Sequence, residues 1–325
     1  MSESGCWLVA DIGGTHTRLG LVQPDRERFP IVARRSFPTS EFPSLEAVIE
    51  HYLEAVELSA IDAACLAVAG PVRGAEASLT NVEWTVSSER VAAQLHLANV
   101  LIVNDFHAVA ASLPLLRDVD LCPIGPVSAT DVCPEGAKAV LGPGSGLGMA
   151  GLVSIDGDWQ VIPSEGGHAA LAPVDELELE VTRALLARFG FVTWEHVLSG
   201  PGLENLYRAV SAIWGAADKS MTAADITARA LDHEPVCHQT LELFCSMLGT
   251  ASGGLAYTFC AEGGLYLAGG ILPRISQFLA ASHFRERFEA VGGSSDYLRT
   301  VSTVLVSTAD VGLLGAAVAL ARCRG

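Results

Sequence analysis

The chain has 325 residues, half of them hydrophobic and only 18% charged, which predicts a large buried core and excludes wholesale disorder. At about 150 residues per domain, this length favours two domains. The formal charge of −17 argues against nucleic-acid binding through a basic face and against anchoring to anionic lipid. An anionic substrate is still allowed, because backbone amides and a metal ion can outweigh the global field.

The cysteines and the termini indicate a cellular location. The eight cysteines stand singly with no CxxC pair, which favours small buried thiols in a reducing cytosol over a zinc or redox motif. The N-terminus lacks the pattern of a secretory signal, and Ser307, Thr308 and Asp310 interrupt the longest apolar stretch. We therefore expect a soluble cytoplasmic protein without a membrane span.

The first predicted element is a β-hairpin. Residues 6–10 form an apolar run that reaches Asp11, the glycine turn Gly13-Gly14-Thr15 follows, and residues 19–22 form a second apolar run. Consecutive amides in such a turn can bind a phosphate, and glycine lets the backbone approach a ligand closely. Most glycine hairpins bind nothing, so by itself this turn fits either a phosphate site or a plain hairpin.

Strands and helices then alternate as far as residue 105. Ser44 is predicted to cap an amphipathic helix, a buried strand is predicted over 64–69, and a helix over 88–97 precedes a strand over 100–103. This alternation predicts an α/β sheet. Asn104 and Asp105 follow the last strand, where α/β folds bind ligands, so the carboxylate could accept a hydroxyl proton. The alternative is a helix cap or turn, which both residue types favour.

A second glycine hairpin opens the next part of the chain. Residues 139–141 lead into a glycine turn over 142–148, and another strand follows over 149–153. The repetition predicts two related halves, each with a phosphate-sized turn, unless two hairpins resemble each other by chance. A later strand, over 264–268, runs into Gly269-Gly270, and an apolar helix is predicted over 310–322. The glycine turn over 142–149 does not fit the Rossmann pattern GxGxxG, because position 147 is Leu and position 149 is Met, and the Walker and hydrolase patterns GxxxxGK[ST] and GxSxG are absent.

Polar residues between these strands could recognise a sugar. Glu165 and His168 flank two glycines and present hydrogen-bonding groups from one tight loop, which suits sugar hydroxyls; a turn with solvated ends is the alternative. Glu195, taken alone, indicates an exposed helix carboxylate. The histidines are too scattered to predict a metal site.

Taken in order, these segments resemble the bacterial glucokinase family, within the actin-like ATPase superfamily of sugar kinases. The resemblance covers nearly the whole chain. Each segment taken singly also occurs in other sugar kinases, whereas the six segments in this order are specific to the family. The resemblance rests on six segments: Asp11-Ile12-Gly13-Gly14-Thr15, Asn104-Asp105-Phe106, 141–148, 164–168 followed by Pro173, 195–200 and 267–271.

The resemblance implies an α/β fold of two actin-like ATPase (ribonuclease H-like) domains with a cleft between them. A small domain over 1–108 would be completed by a C-terminal helix over 302–325, and a large domain would span 109–301. The two domains would close over the sugar. A homodimer is common in the family.

The same resemblance implies transfer of a phosphoryl group from ATP, with Mg²⁺, to the 6-hydroxyl of D-glucose. Asp105 would be the general base, and a reference pKa of about 3.9 would leave it ionised at neutral pH. The sugar-binding residues would be Asn104, Asp105, Glu165, His168 and Glu195. Asp11 would also hold the magnesium through water. The nucleotide-binding residues would be Asp11, Gly13, Gly14, Thr15, Gly144, Ser145, Gly146, Gly269 and Gly270.

Four positions depart from the family pattern. His16 stands where Asn is common, His107 stands where Thr is common, and Ala169-Ala170 replaces a bulkier, often acidic pair. The sugar preference therefore stays open, with another hexose or an N-acetylhexosamine as alternative substrates. A non-catalytic sugar-sensing protein is the remaining alternative, and the glycine turns do not distinguish ATP from ADP or polyphosphate as donor.

Overall fold

In a computed structural model of the chain, the structure describes residues 5–23, 29–56, 60–79, 82–127, 133–216, 220–292 and 295–324. The chain divides into two compact units. Unit 1 comprises Met1–Arg117 with Thr308–Gly325, and unit 2 comprises Asp118–Ser307.

Unit 1 is built on a five-stranded sheet of order β3-β2-β1-β4-β8 and a small sheet of order β5-β6-β7. With elements numbered in chain order, its strands are β1 (Trp7–Ile12), β2 (His16–Val22), β3 (Ile31–Pro38), β4 (Ala63–Val68), β5 (Val72–Arg73), β6 (Glu76–Ser78), β7 (Thr85–Ser87) and β8 (Val100–Asn104). Its helices are α1 (Leu45–Glu54), α2 (Ser88–Leu95), α3 (Asp105–Ser112) and α11 (Val311–Arg324).

Unit 2 is built on a six-stranded sheet of order β12-β11-β10-β13-β14-β9. Its strands are β9 (Leu121–Pro123), β10 (Lys138–Pro143), β11 (Leu147–Ile155), β12 (Asp158–Ser164), β13 (Leu265–Leu267) and β14 (Thr303–Val306). Its helices are α4 (Glu176–Phe189), α5 (Gly200–Ile213), α6 (Ala223–Leu231), α7 (Pro235–Phe259), α8 (Ser276–Ala281), α9 (Phe284–Glu289) and α10 (Ser295–Thr300).

The two sheets repeat one topology. In unit 1, β1 pairs antiparallel with β2 and parallel with β4, which is parallel to β8. In unit 2, β10 pairs antiparallel with β11 and parallel with β13, which is parallel to β14. Both predicted glycine hairpins are therefore confirmed, and the shared strand order supports two related halves.

Strand β1 is buried on both faces, which explains why its sequence is an apolar run without alternation. Leu8, Ala10 and Ile12 pack with α1 and α2 residues such as Leu45 and Val91. Trp7 and Val9 face the other way, in a cluster that includes α11 residues such as Leu313 and Ala316. Because side chains alternate along a strand, Asp11 shares the face of Trp7 and Val9 and points toward the α11 side of the sheet.

Unit 2 has a single hydrophobic core around α7. This long helix is buried along much of its length, including Leu241, Phe244 and Leu248, and it packs with the strand residues Leu141 and Leu267. The core fixes the strand ends from which the loops of this unit emerge.

The unit boundaries differ slightly from the domain limits expected from the sequence. The expected limit at 108 falls inside α3, which lies in unit 1 as a whole. The expected start of the returning segment at 302 precedes β14, which pairs with β13 and so lies in unit 2. The predicted C-terminal helix is confirmed as α11.

The expectation of buried thiols is wrong for half of the cysteines, because Cys122, Cys133, Cys260 and Cys323 are exposed. All eight cysteines lie in the described segments and are free thiols. No helix in the described part of the chain has the length and apolar character needed to cross a membrane.

Candidate active site

Asn104 and Asp105 lie where β8 ends and α3 begins. The Asn104 Oδ1 atom accepts the amides of Phe106 at 2.9 Å and His107 at 3.3 Å, so this side chain is the N-cap of α3. Its Nδ2 donates to the Gly70 carbonyl at 3.2 Å. The helix-cap interpretation of Asn104 is therefore correct, and one amide hydrogen is left over for a ligand.

The Asp105 carboxyl is desolvated at the same position. Its Oδ1 accepts the Phe106 amide at 2.9 Å. Burial, and next the nearby Asp11 carboxylate, raise the pKa of Asp105 to about 7. The expectation that Asp105 is fully ionised at neutral pH is therefore wrong for the free protein, because a reference pKa takes no account of desolvation. A pKa close to the working pH suits a general base.

Asp11 forms an ion pair within the first hairpin. The β1–β2 register sets Arg18 directly opposite Asp11, and the Arg18 Nη1 atom lies 3.0 Å from Asp11 Oδ2. Burial nevertheless raises the pKa of Asp11, while Arg18 opposes the shift. The sequence interpretation missed Arg18, although counting residues outward from the turn predicts this cross-strand pair.

Magnesium fits the Asp11 position only as a lightly held ion. No group of three or more His, Cys, Asp or Glu side chains in the described segments could form a metal cage. Mg²⁺ is usually held by one or two carboxylates together with substrate phosphates and several waters. Asp11 can meet that requirement through Oδ1, because Arg18 takes the other oxygen.

The first glycine turn leaves amides available to a ligand. The Gly13 amide donates to the His16 carbonyl at 3.0 Å, which closes the hairpin. The Gly14 and Thr15 amides, in contrast, have no acceptor among the hydrogen bonds of the described residues. Two unpaired amides on one exposed turn are the donors that an anion-binding nest requires.

The second glycine turn packs against the end of β13. The Gly144 amide donates to the Gly146 carbonyl at 2.8 Å, and the Gly144 carbonyl accepts the Gly200 amide at 2.8 Å. Gly269 follows β13 with φ +89, and a Cβ there would lie 2.4 Å from the Pro143 carbonyl oxygen. A side chain is excluded at Gly269 by both the conformation and the close approach. Of the glycines expected to bind nucleotide, only this one has a positive φ. A Cβ would meet nothing within 4 Å at Gly144 or Gly270, so no steric reason for glycine is found at these two positions.

A short backbone pairing brings the predicted sugar residues of unit 2 together. The Trp194 amide donates to the Ala169 carbonyl at 3.1 Å, and Ala170 forms a β-bridge with Thr193. This pairing joins the loop after His168 to the 3-10 turn Trp194–His196, which carries Glu195.

His168 lies between the two glutamates. Its Nε2 atom is 3.9 Å from Glu165 Oε2, and its Nδ1 atom is 3.9 Å from Glu195 Oε1. The Glu165 and His168 side chains are 73% and 62% exposed, so they can meet a ligand from solvent. Three polar groups from two separate segments of the sequence thus form one cluster of hydrogen-bonding partners suited to a polyol.

Glu195 also supports the second glycine turn, a contact that sequence reasoning missed. Its Oε2 atom accepts the Leu147 amide at 2.8 Å, where β11 leaves the turn. A Cβ at Gly146 would lie only 2.5 Å from the same oxygen, so the carboxylate occupies the space that a side chain would need. The Glu195 carboxylate therefore contacts the second glycine turn through Oε2 and His168 through Oε1.

Two of the departures from the family pattern lie beside predicted site residues of unit 1. His16 follows Thr15, and His107 lies two positions after Asp105. His16 is exposed at the start of β2. His107 is partly buried in α3, and burial together with Arg322 lowers its pKa.

Thr39 also contacts the first glycine turn, and the sequence did not reveal this contact. Its Oγ1 donates to the Gly13 carbonyl at 2.8 Å.

The features of the two units define a class of protein. Two repeats of one strand order, glycine turns with unpaired amides, an Asp at a strand end and a polyol-type cluster are the features of a sugar kinase of the actin-like ATPase type. Comparisons with known proteins give the particular family. The family model described as Glucokinase matches residues 8–323, and the chain belongs to this family. It is accordingly an ATP-dependent hexose kinase.

Individual relatives agree with the family assignment. The chain is 42% identical to a glucokinase of Saccharophagus degradans over 313 residues, covering 96% of this chain and 97% of the relative. The crystal structure of a glucokinase from an Antarctic psychrotroph matches with a TM-score of 0.85 and 38% identity, covering 98% and 99% of the two chains. A glucokinase from Balamuthia mandrillaris in complex with glucose matches with a TM-score of 0.79 over 98% and 94% of the chains. At 23% identity, that last match supports the fold alone.

Proposed function

We propose that the chain transfers the γ-phosphoryl group of ATP to the 6-hydroxyl of D-glucose, with Asp105 as the general base. The observation that carries this proposal is the cluster of Glu165, His168 and Glu195, with contacts of 3.9 Å on both sides of the histidine. Carboxylates accept hydrogen bonds from sugar hydroxyls, and an imidazole can either donate or accept. Asn104 and Asp105 are proposed as the glucose-binding residues of unit 1, with Asn104 using its remaining amide hydrogen.

Asp105 would act through Oδ2, since Oδ1 is engaged by the Phe106 amide. In the step, glucose O6 forms a bond to the γ-phosphorus while the bond from that phosphorus to the β–γ bridging oxygen breaks, leaving ADP. The proton of the 6-hydroxyl passes to Asp105 and then to solvent. Phosphoryl transfer has a loose transition state in most analyses, so the base needs orientation and closeness more than strength.

The unpaired amides would bind the phosphates of ATP. In unit 1 the amides of Gly14 and Thr15 would supply oriented donors without net charge, as would those of Ser145 and Gly146 in the corresponding turn of unit 2. Gly144 would belong to the same phosphate turn, although its own amide already donates to the Gly146 carbonyl. Asp11 would hold Mg²⁺ through water, and when bound the ion offsets the charge that develops on the transferred phosphoryl group. Gly269 and Gly270 would lie beside the adenosine, where absent side chains leave room.

The test of the base is Asp105→Asn, with Glu50→Gln on an exposed position of α1 as control. General-base removal typically costs about 10²- to 10⁴-fold, so kcat should fall by that factor in the Asp105 variant alone. Glucose binding, measured by calorimetry, should remain within about tenfold, because Asp105 supplies only one of several sugar contacts. Turnover of Asp105→Asn close to wild type would remove Asp105 from this role.

The substrate is tested separately with a sugar panel. We expect glucose to have the highest kcat/KM among glucose, mannose, fructose and N-acetylglucosamine, with ATP preferred over ADP and polyphosphate. A better kcat/KM for another sugar would retain the kinase chemistry and replace the substrate. Sugar binding without ADP formation under MgATP would instead support the non-catalytic alternative.

A further inference from the structure

Two buried threonines hold the first glycine turn in place. Thr39 follows β3 directly, and β3 pairs with β2 so that Pro38 lies opposite His16 at the turn. From there, the Thr39 Oγ1 atom donates to the Gly13 carbonyl at 2.8 Å, and the Thr39 amide donates to the Thr15 carbonyl at 3.0 Å. Thr39 therefore contacts both ends of the turn.

Thr17 completes the arrangement from β2. Its Oγ1 atom lies 3.0 Å from the Thr39 Oγ1 atom, and each hydroxyl carries only one hydrogen. Thr39 uses its hydrogen on the Gly13 carbonyl, so Thr17 must be the donor of the bond between the hydroxyls. The result is a directed chain from Thr17 to Thr39 to Gly13.

Burial makes this chain selective for one turn conformation. Thr17 and Thr39 are both 0% exposed, so water cannot replace a lost partner. A buried polar group without a partner costs more than the net value of the bond that it makes. A turn conformation that moved the Gly13 carbonyl away from Thr39 would therefore be disfavoured.

We infer that Thr17 and Thr39 are positioning residues that fix the Gly13–Thr15 turn in its nucleotide-binding conformation. The inference rests on the proposed binding of ATP phosphates by this turn. The clamp takes the Gly13 and Thr15 carbonyls, while no acceptor in the described segments engages the Gly14 and Thr15 amides. The carbonyls of the turn are thus directed into the protein, and its amide donors stay available to an anion.

The test separates positioning from general stability. Thr39→Val keeps the side-chain shape and removes the hydroxyl, whereas Thr39→Ser keeps the hydroxyl and removes a methyl group. Thr240→Val is the matched control, because Thr240 is also 0% exposed but bonds only to the Val236 carbonyl within its own helix in unit 2. For each variant we would measure KM for MgATP, KM for glucose, the melting temperature and the Kd of MgADP by calorimetry.

We expect Thr39→Val to raise KM for MgATP and Kd for MgADP about two- to tenfold, the factor that corresponds to one hydrogen bond. KM for glucose should change less than twofold. Thr39→Ser should restore nucleotide affinity to within about twofold of wild type, although it too loses stability from a smaller side chain. Thr240→Val should lower the melting temperature without changing nucleotide affinity.

Thr17→Val supplies a second, independent variant. It leaves the bond from Thr39 to Gly13 in place, so it should raise the nucleotide constants less than Thr39→Val does. This variant decides the question if Thr39→Val does not fold. The inference would be overturned if Thr39→Val binds nucleotide as tightly as wild type. Where only Thr17→Val folds, wild-type nucleotide affinity in that variant has the same meaning. The inference would also be overturned if Thr39→Val binds nucleotide more weakly and Thr39→Ser does not restore the affinity. The MgADP titration does not depend on turnover, so a wrong sugar or a wrong base would leave this test intact.

Discussion

Replacing Asp105 by Asn should stabilise the free protein while removing most of its proposed catalytic activity. Burial and the neighbouring Asp11 raise the pKa of Asp105 from 3.8 to about 7, which means that the fold disfavours the ionised carboxylate. At 1.36 kcal/mol per pKa unit, this shift means that ionised Asp105 lowers the free energy of unfolding by about 4 kcal/mol at alkaline pH. Asp105 keeps part of its surface exposed, and solvent there weakens the penalty on the charged form. We therefore expect Asp105→Asn to raise the free energy of unfolding by about 2–4 kcal/mol at alkaline pH.

The pH dependence gives the sign of the effect. With its pKa raised on folding, Asp105 binds more proton in the folded than in the unfolded state between pH 3.8 and about 7. The free energy of unfolding of the wild type therefore falls as pH rises through that window and levels off above it. An Asn does not titrate, so the advantage of the variant over wild type should be small near pH 4 and largest above pH 7.

The assay is thermal unfolding from pH 5 to pH 8.5, without metal or ligand. An unfolding entropy of about 2.1 cal/mol/K per residue converts 4 kcal/mol into about 6 °C for a chain of this length. We expect Asp105→Asn to melt about 2 °C above wild type at pH 5 and about 3–6 °C above it at pH 8. Glu50→Gln should show no such trend. A variant that melts below wild type at pH 8, or a difference that does not change with pH, would refute the reasoning.

Three further outcomes follow from the same geometry. The proposed base role of Asp105 requires its ionised form, so kcat/KM for glucose should rise with pH through about 7 and then level. A midpoint near 4 in the pH profile would contradict the raised pKa. Gly146→Ala should displace the Glu195 carboxylate, whose oxygen lies 2.5 Å from the added Cβ, and steady-state kinetics should show KM for glucose about tenfold higher. Gly269→Ala should lower the melting temperature and raise KM for MgATP, because the φ of +89 and the Pro143 carbonyl oxygen, 2.4 Å from an added Cβ, both oppose a side chain. An unchanged melting temperature and an unchanged KM for MgATP would show that the close packing of Gly269 on Pro143 has no role.

The sequence predicted the elements whose pattern reflects burial. The two glycine hairpins, the Ser44-capped helix and the strand that delivers Asp105 were all found, because buried strands are apolar runs and the caps are specific residue types. Strand β3 was not predicted, because most of it is exposed and carries no apolar pattern. Its position depends on pairing with β2, which a local pattern does not encode.

The candidate site could be predicted as a set of residues but not as an environment. Glu165 and His168 were identified from their tight glycine loop, and Glu195 from the family resemblance, yet only the backbone pairing after His168 explains how they meet. The raised pKa of Asp105 depends on desolvation and on a carboxylate from another strand. The contribution of Thr39 likewise depends on a strand pairing. Distances of this kind follow from tertiary structure, so no spacing in the sequence reveals them.

The return of the chain to unit 1 has a consequence for its synthesis. Helix α11 covers one face of β1 and β4, where Leu313 and Ala316 pack against Val9 and Cys65. The whole of unit 2, Asp118–Ser307, lies between the two segments of unit 1. At about 5–20 residues per second, a ribosome needs about 10–40 s to make that insertion. During this interval the nascent sheet of unit 1 lacks its cover, so the first segment emerges early but completes its fold last.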